Sequence, residues 1–387
     1  MGVRGEPAAV AALDVGGGKV LAAVALLEAE GLRVLGVGRA VAAGVRCGAV
    51  VDLEAATAAI AAAGERARRV AGRTLPGLMI GSAGGRLLSE NRTAEVRFEH
   101  PTEVGRAEVD AAQAEVRRVT LPAGYQLVHA VTQGYLIDGY PGSANPVGVA
   151  AECLGVEAHL VACEATVLHN LWNAVHQAGL QVEDFAVCAL ASAEAVLTEE
   201  ERQKGVVMVD VGATATQLAV LAEGVPLVTA MLPIGGQHIT ADIVSVLGLD
   251  PQAAEEAKRR GRLPEGTQAD TALADVIDAR SEELLEGVRE RVRAAGMDAH
   301  IGAGLVLTGG GSRVPGLAAV AMRVLEWPVR CGGAAGMDGP LGAPEYAACI
   351  GLLQLAARRR HAARRLAPLA PIARWRLGRW LAGGAPA

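Results

Sequence analysis

The sequence predicts an α/β protein of two related lobes, and three observations carry that prediction. First, an apolar run, an acid, a glycine turn and a second apolar run occur twice, at Val10–Val24 around Asp14 and at Val206–Val220 around Asp210. Second, an apolar strand running into a glycine loop also occurs twice, at Leu78–Arg86 and at Gly304–Arg313, each time downstream of a hairpin. Third, short apolar runs bounded by glycine read as buried strands, and they alternate with stretches of helical period. The order is therefore repeated once, at a period of roughly 200 residues, too long for a solenoid.

Residues 8–27 read as two strands and Arg33–Val41 as a third. Asp52 is placed to cap a helix of about 20 residues, with Glu54 in its first turn. A strand at 78–81 and its glycine loop come next. Residues 86–165 break the repeat. They hold a charged helix near Arg106–Val119, apolar runs at Gln126–Val131 and Tyr135–Gly139, a Gly/Asn/Pro turn at 142–148 and a strand at Val156–Ala162, which together read as an inserted α/β subdomain. Glu164–Gly179 has Val167, Leu168, Leu171, Trp172 and Val175 at helical spacing. The second lobe is expected from Phe185, with helices over 240–262, 270–296 and Val314–Leu325. The charges of Asp278–Arg293 suit a solvated face. Tyr346–Leu366 is the last helix expected in the body, and Pro368 and Pro371 punctuate the chain beyond it.

With 387 residues, the chain has room for two domains or one with an insertion. Aromatics make up only 3% while half the residues are hydrophobic, so the core must be built from Ala, Val and Leu. The cysteines at 47, 153, 163, 188, 331 and 349 form no Cys-x-x-Cys pair, which suits buried free thiols in a reducing compartment and not a zinc site. No run reaches the ~18 apolar residues of a membrane span, and the first residues lack a signal-peptide core, so a cytosolic protein is expected. The net charge of −6 is uneven. After Glu345 there is no acid, yet arginines stand at 358, 359, 360, 364, 365, 374, 376 and 379. An acidic body argues against nucleic acid as its ligand, and the basic tail argues for an anionic target.

The hairpins carry the chemistry. Glycine turns expose backbone N–H groups that cradle phosphate, which nominates Gly16, Gly17, Gly18, Gly212 and Ala213. Lys19 reaches a phosphate as a point charge, and Thr214 and Thr216 offer hydroxyls from the second side. Asp14 and Asp210, facing each other, suit a Mg²⁺ held through water; the alternative is that both are only turn residues. Gly309, Gly310, Gly311 and Arg313 form a further glycine loop. Glu255 and Lys258 lie on one face of a helix, either contacting ribose and adenine or forming a surface ion pair of little energy. In the tail, Ala373, Leu377, Trp380 and Leu381 share a helical stripe flanked by Arg374, Arg376 and Arg379. Ile372 and Trp375 fall off it. Trp and Arg on a short amphipathic helix with Pro371 in its first turn fit an interfacial anchor, with anionic lipid adding about 1 kcal/mol per basic residue. A packed or disordered tail is the alternative.

These hairpins resemble those of the actin, heat-shock chaperone and sugar-kinase superfamily, and four further stretches resemble the FtsA family of bacterial cell-division proteins within it. They are Leu35–Glu54, His129–Val161, Ala191–Arg202 and Pro233–Ile243. The resemblance covers roughly residues 8–355. It implies an actin-like two-lobed fold of duplicated ribonuclease-H-like domains, with lobe one at 8–83 and 163–184, an inserted subdomain at 84–162, lobe two at 185–355, a basic linker at 356–370 and a membrane-targeting amphipathic helix at 371–384. It also implies ATP and Mg²⁺ as cofactors and adds Gly235 and Gly236 to the expected nucleotide contacts. The implied role is a scaffold that polymerises on the cytoplasmic face of the inner membrane at the septum, tethers FtsZ through its C-terminal tail and recruits later division proteins. The hairpins depart from the family pattern in two places, and the second puts hydrolysis in doubt, leaving at most a slow ATPase. Gly17 and Gly18 remove hydroxyls usual in the first hairpin, and Gln217 stands where the second usually ends in an acid. A pilus-assembly protein similar to PilM, or a sugar or acetate kinase, are the rival readings.

Overall fold

Near-continuous apolar sequence builds the first sheet. The computed structural model describes residues 8–28, 31–82, 84–142, 144–263 and 270–366. Strands β1 (Ala9–Val15), β2 (Lys19–Glu28) and β3 (Gly31–Val41) form an antiparallel meander, with β1 and β2 buried on both faces. A two-residue hairpin, β4 (Val45–Arg46) and β5 (Ala49–Val50), leads to α1 (Leu53–Ala71), whose Ala55 N–H donates to the expected cap, Asp52. Strand β6 (Leu78–Ser82) then lies parallel to β1. Burial on both faces of these central strands explains their unbroken Ala/Val/Leu runs, which in a sheet with one wet face would alternate with polar residues.

The insertion is a second, antiparallel sheet. It comprises β7 (Leu87–Glu103), α2 (Arg106–Val116), β8 (Tyr125–Ile137), β9 (Tyr140–Pro141) and β10 (Ala150–Glu164), in the order β7-β10-β8-β9. Strand β7 was not expected from the sequence. Its Ala94, Val96 and Phe98 alternate with Glu95 and Arg97, and only the apolar face packs on the small core of Val116, Leu154 and Leu160. The two apolar runs, Gln126–Val131 and Tyr135–Gly139, belong to one strand, β8, which slips register against β10.

Helix α3 (Ala165–Gln177) leads to β11 (Val182–Val187), which pairs parallel with β6. The expected lobe boundary at Phe185 thus falls inside a strand of the first sheet. After α4 (Cys188–Val196) and α5 (Glu199–Lys204) the second sheet repeats the first. Its strands are β12 (Val206–Val211), β13 (Thr216–Ala222), β14 (Val225–Leu232), β15 (Gly304–Thr308) and β16 (Val329–Cys331). The orders β11-β6-β1-β2-β3 and β16-β15-β12-β13-β14 match strand for strand. Helices α6 (Gly236–Leu247), α7 (Pro251–Arg260), α8 (Asp270–Ala294) and α9 (Leu317–Leu325) cover it. The single helix expected over 240–262 is broken at Gly248, whose backbone is left-handed (φ 67°).

The last helix, α10 (Ala347–Leu366), returns to the first lobe and packs on β1, β6 and α4. A Cβ at Gly351 would lie 1.7 Å from the Ala191 carbonyl, so glycine permits the backbones of α4 and α10 to touch. Two expectations change here. Residues 347–355 belong with the first lobe, and the expected basic linker is helical to Leu366. Three of its arginines are held by the body: Arg358 pairs with Glu194, Arg359 with Asp184, and Arg360 with Glu183 at 3.1 Å. The tail helix, with Arg374, Trp375, Arg376, Leu377, Arg379, Trp380 and Leu381, lies outside the described residues. No described helix is long and apolar enough to cross a membrane. All six cysteines are free, but Cys331 is exposed and Cys47 half-buried, so burial holds for four of them.

The insertion is tied to the second lobe by polar contacts along β14. His159 is fully buried, with Nδ1 2.8 Å from Asn91 Oδ1 and Nε2 2.9 Å from Thr229 Oγ1. A carbonyl oxygen only accepts, so Nδ1 carries the proton and the Thr229 hydroxyl donates to Nε2. Gln133 donates to Pro226 O, and Asn91 to Leu227 O. Burial lowers the pKa of His159 from 6.5 to about 4. A folded value below the unfolded one contributes stability above pH 6.5 that is lost as pH falls towards 4, about 2 kcal/mol of it by pH 5. Buried Asp14, raised from 3.8 to about 6, works in the opposite sense over the same range. Comparison with His159→Gln isolates the histidine: denaturant unfolding at pH 7 and pH 5 should show a smaller acid-induced loss in the variant, and equal losses would remove the assignment.

Candidate functional site

The two hairpins meet across a cleft of about 720 Å³ that both lobes line. Each hairpin closes the same way. Gly16 N–H donates to Lys19 O and Gly212 N–H to Ala215 O, both at 3.0 Å. The acid is the penultimate residue of the incoming strand of each, so sheet pairing carries Asp14 and Asp210 to the cleft floor. Helix α6 docks on the second hairpin by its N-terminus, Gly236 N–H donating to Gly212 O and Gln237 N–H to Ala213 O.

Burial governs the floor. It pushes the Asp14 carboxyl up to about 6, with Lys19 pulling down and Asp210 pushing up. Asp210 is raised by burial too, opposed by a hydrogen bond from Ser192 Oγ (2.5 Å) and by Lys19. Two carboxylates confined in poor solvent, each costly to ionise alone, are the kind of hard-oxygen donors that a divalent cation would need. Asp14 and Asp210 fit water-held Mg²⁺.

Most of the nominated residues line this cleft: Gly16 to Lys19, Gly212 to Thr214, Gly236, Glu255, Lys258, Gly309 to Gly311 and Arg313. Two do not. Thr216 is fully buried, and its hydroxyl donates to Ile234 O at 2.7 Å, because its side chain points into the sheet. Gly235 lies beneath the hairpin, where a Cβ would come within 2.7 Å of Gly212 O; it serves the docking of α6. A third is present but committed. The Lys258 ammonium donates to Gly236 O, Thr240 Oγ1 and Glu255 Oε2, which takes all three hydrogens. Glu255 also accepts from Arg259. Burial would raise Glu255, but hydrogen bonds from Lys258 and Thr240 outweigh it and hold its pKa low. The pair joins α6 to α7 at the wall of the cleft, so it is more than a surface ion pair. Ser192, Gln237, Cys188 and Arg39 were not nominated. Ser192 and Cys188 sit on α4, whose sequence resembles an ordinary Ala-rich core helix.

The departures in the hairpins have steric and electrostatic content. A Cβ on Gly17 would lie 2.2 Å from Thr214 Oγ1, and one on Gly18 2.8 Å from Ala213 Cβ. The hairpins are pressed together where hydroxyl side chains would stand. Cys47, held at φ 45°, adds a crossing contact by donating its N–H to Thr214 Oγ1 (3.1 Å). Gln217 Oε1 accepts from Ala189 N–H (2.8 Å) at the start of α4. Gln217 thus keeps the geometry of an acceptor without its charge.

The model of the SHS2 domain inserted in FtsA matches residues 84–162, and that of cell division protein FtsA matches residues 207–351. Cell division protein FtsA of Pseudomonas aeruginosa is 33% identical over 372 residues, covering 89% of this chain and 88% of that one. That of Escherichia coli K12 is 31% identical over 376 residues, with 89% of each covered. Among solved structures, the PilM–PilN type IV pilus biogenesis complex has a chain similar with a TM-score of 0.64 at 20% identity, covering 90% of this chain and 98% of that chain. MreB5 of Spiroplasma citri bound to ADP gives 0.50 at 14%, covering 92% and 98%. These structural likenesses speak to an actin-like fold.

Proposed function

The chain belongs to the FtsA family and is an actin-like cell-division protein, and on that premise we propose that it binds Mg²⁺-ATP between its lobes and tethers FtsZ to the membrane. The observation that carries the nucleotide half is the pair of matched hairpins bringing Asp14, Asp210 and Lys19 to one cleft. Backbone N–H groups of the hairpins cradle the phosphates, Lys19 supplies charge, and the glycine loop at Gly309 to Gly311 borders the nucleoside. Magnesium would be held by Asp14 and Asp210 through water and would neutralise the phosphates. Without an acid at Gln217, hydrolysis is at most slow. Binding more than turnover would then set the conformational state.

The tether reading rests on the tail. Arg374, Trp375, Arg376, Leu377, Arg379, Trp380 and Leu381 would lie in the interface of an anionic bilayer on the cytoplasmic face of the inner membrane. The body would bind the FtsZ C-terminal tail, associate with further copies of itself and recruit later division proteins at the septum. The sequence relatives favour this role over pilus assembly or a kinase. Co-sedimentation with phosphatidylglycerol-containing vesicles, with MgATP and FtsZ, tests it. Pelleting of FtsZ that requires both this protein and its residues 368–387 is expected. FtsZ left in solution while this protein pellets would sink the tether.

A further inference from the structure

We propose that Arg39 is a phosphate-contact residue of the nucleotide cleft, supplying from β3 the donors that Gly17 and Gly18 lack; this rests on the nucleotide reading above. Five cationic side chains line the cleft: Lys19, Arg39, Lys258, Arg259 and Arg313. Three of them are committed. Lys258 and Arg259 both pair with Glu255, at 2.6 and 2.8 Å, and Arg313 pairs with Glu345 at 3.1 Å. The Arg39 guanidinium is exposed and has neither a hydrogen-bond nor an ion-pair partner among the described residues. Lys19 is the other uncommitted cation.

The two free cations are neighbours for a reason of register. Lys19 stands opposite Val41 and Leu21 opposite Arg39 across β2 and β3. Arg39 and Lys19 are therefore diagonal partners on one face of the sheet, within reach of one ligand. The second-lobe cations that line the cleft, Lys258, Arg259 and Arg313, are all paired. The backbone of Arg39 is fixed as well, since its carbonyl accepts from Arg66 on α1.

The need for such a residue arises from the first hairpin. Thr214 and Ala213 press against Gly17 and Gly18 and leave no room there for hydroxyl side chains. The first lobe must then bind phosphate with backbone N–H groups and longer side chains from adjacent strands. A guanidinium suits this position, because its planar fork donates two parallel hydrogen bonds to phosphate oxygens and stays charged at any working pH. The ligand class is a nucleoside di- or triphosphate, bound by its terminal phosphates.

The test is isothermal titration of wild type, Arg39→Ala and Arg39→Lys with MgATP, MgADP and AMP. Arg39→Ala should lose about tenfold to a hundredfold in MgATP affinity, as hydrogen bonds to a charged group are worth. AMP affinity should stay within about twofold, the salt dependence of MgATP binding should become shallower, and Arg39→Lys should recover part of the loss. Unchanged MgATP affinity, or an equal loss for MgATP and AMP, overturns the assignment and leaves the nucleotide site standing. A wild type that binds none of the three removes both readings.

Discussion

Asp210→Ala should lower MgATP affinity by about tenfold to a hundredfold and abolish its dependence on Mg²⁺. Asp210 is the penultimate residue of β12, takes a hydrogen bond from Ser192 at 2.5 Å and lies so close to the glycine loop that a Cβ on Gly309 would be 2.1 Å from its Oδ1. Its carboxylate is thus fixed from two sides, by Ser192 on α4 and by the glycine loop. Removing it leaves Asp14 as the only carboxylate on the floor, with its pKa relieved of the neighbour that helps push it up. The fold should tolerate the change, since the group removed is a desolvated acid whose ionisation burial already opposes. Calorimetric titration with Mg²⁺ and with EDTA checks this. Equal affinities for wild type and variant under both conditions would mean that the second hairpin does not face the nucleotide.

Trp375→Glu combined with Trp380→Glu should release the protein from anionic vesicles. Burying one large apolar side chain stabilises by roughly 1.5–3 kcal/mol, so losing two, with two added charges of the wrong sign, weakens partitioning by about a hundredfold or more. The pairing of Arg358, Arg359 and Arg360 with Glu194, Asp184 and Glu183 sharpens this expectation. Those three arginines neutralise the body's own acids, so they contribute little to lipid attraction. Sedimentation with phosphatidylglycerol vesicles at low and high salt is the measurement. A double variant that still pellets with vesicles would place membrane contact elsewhere on the chain.

Much of the fold was legible because local rules and global packing agree. Central strands buried on both faces must be apolar throughout, so β1, β2, β12 and β13 stand out as runs, and the acid before each turn marks the cleft. The cap at Asp52 and the Ala-rich α1 come from the same local chemistry. Strand β7 was missed because an antiparallel strand with one wet face carries charges at every second position. Its pairing with β10 comes from residues far along the chain. The boundary at Phe185 was misplaced for a like reason. Only the parallel partner β6 assigns β11 to the first sheet.

For the site, sequence by itself determined the hairpins, their acids, Lys19 and the glycine loop, because turn geometry is encoded within a few residues. Tertiary structure decided which hydroxyls and charges are free. Thr214 and Thr216 are two positions apart in one turn, yet one faces the cleft and the other gives its proton to Ile234 O. Lys258 looks like a ligand and is fully engaged, while Arg39, an unremarked strand residue, is not. Hydrogen-bond partners are assigned by distance in space, and the nearest acceptor to a lysine or arginine can come from any part of the chain. Sequence names the donors; packing determines whether anything is left for a ligand.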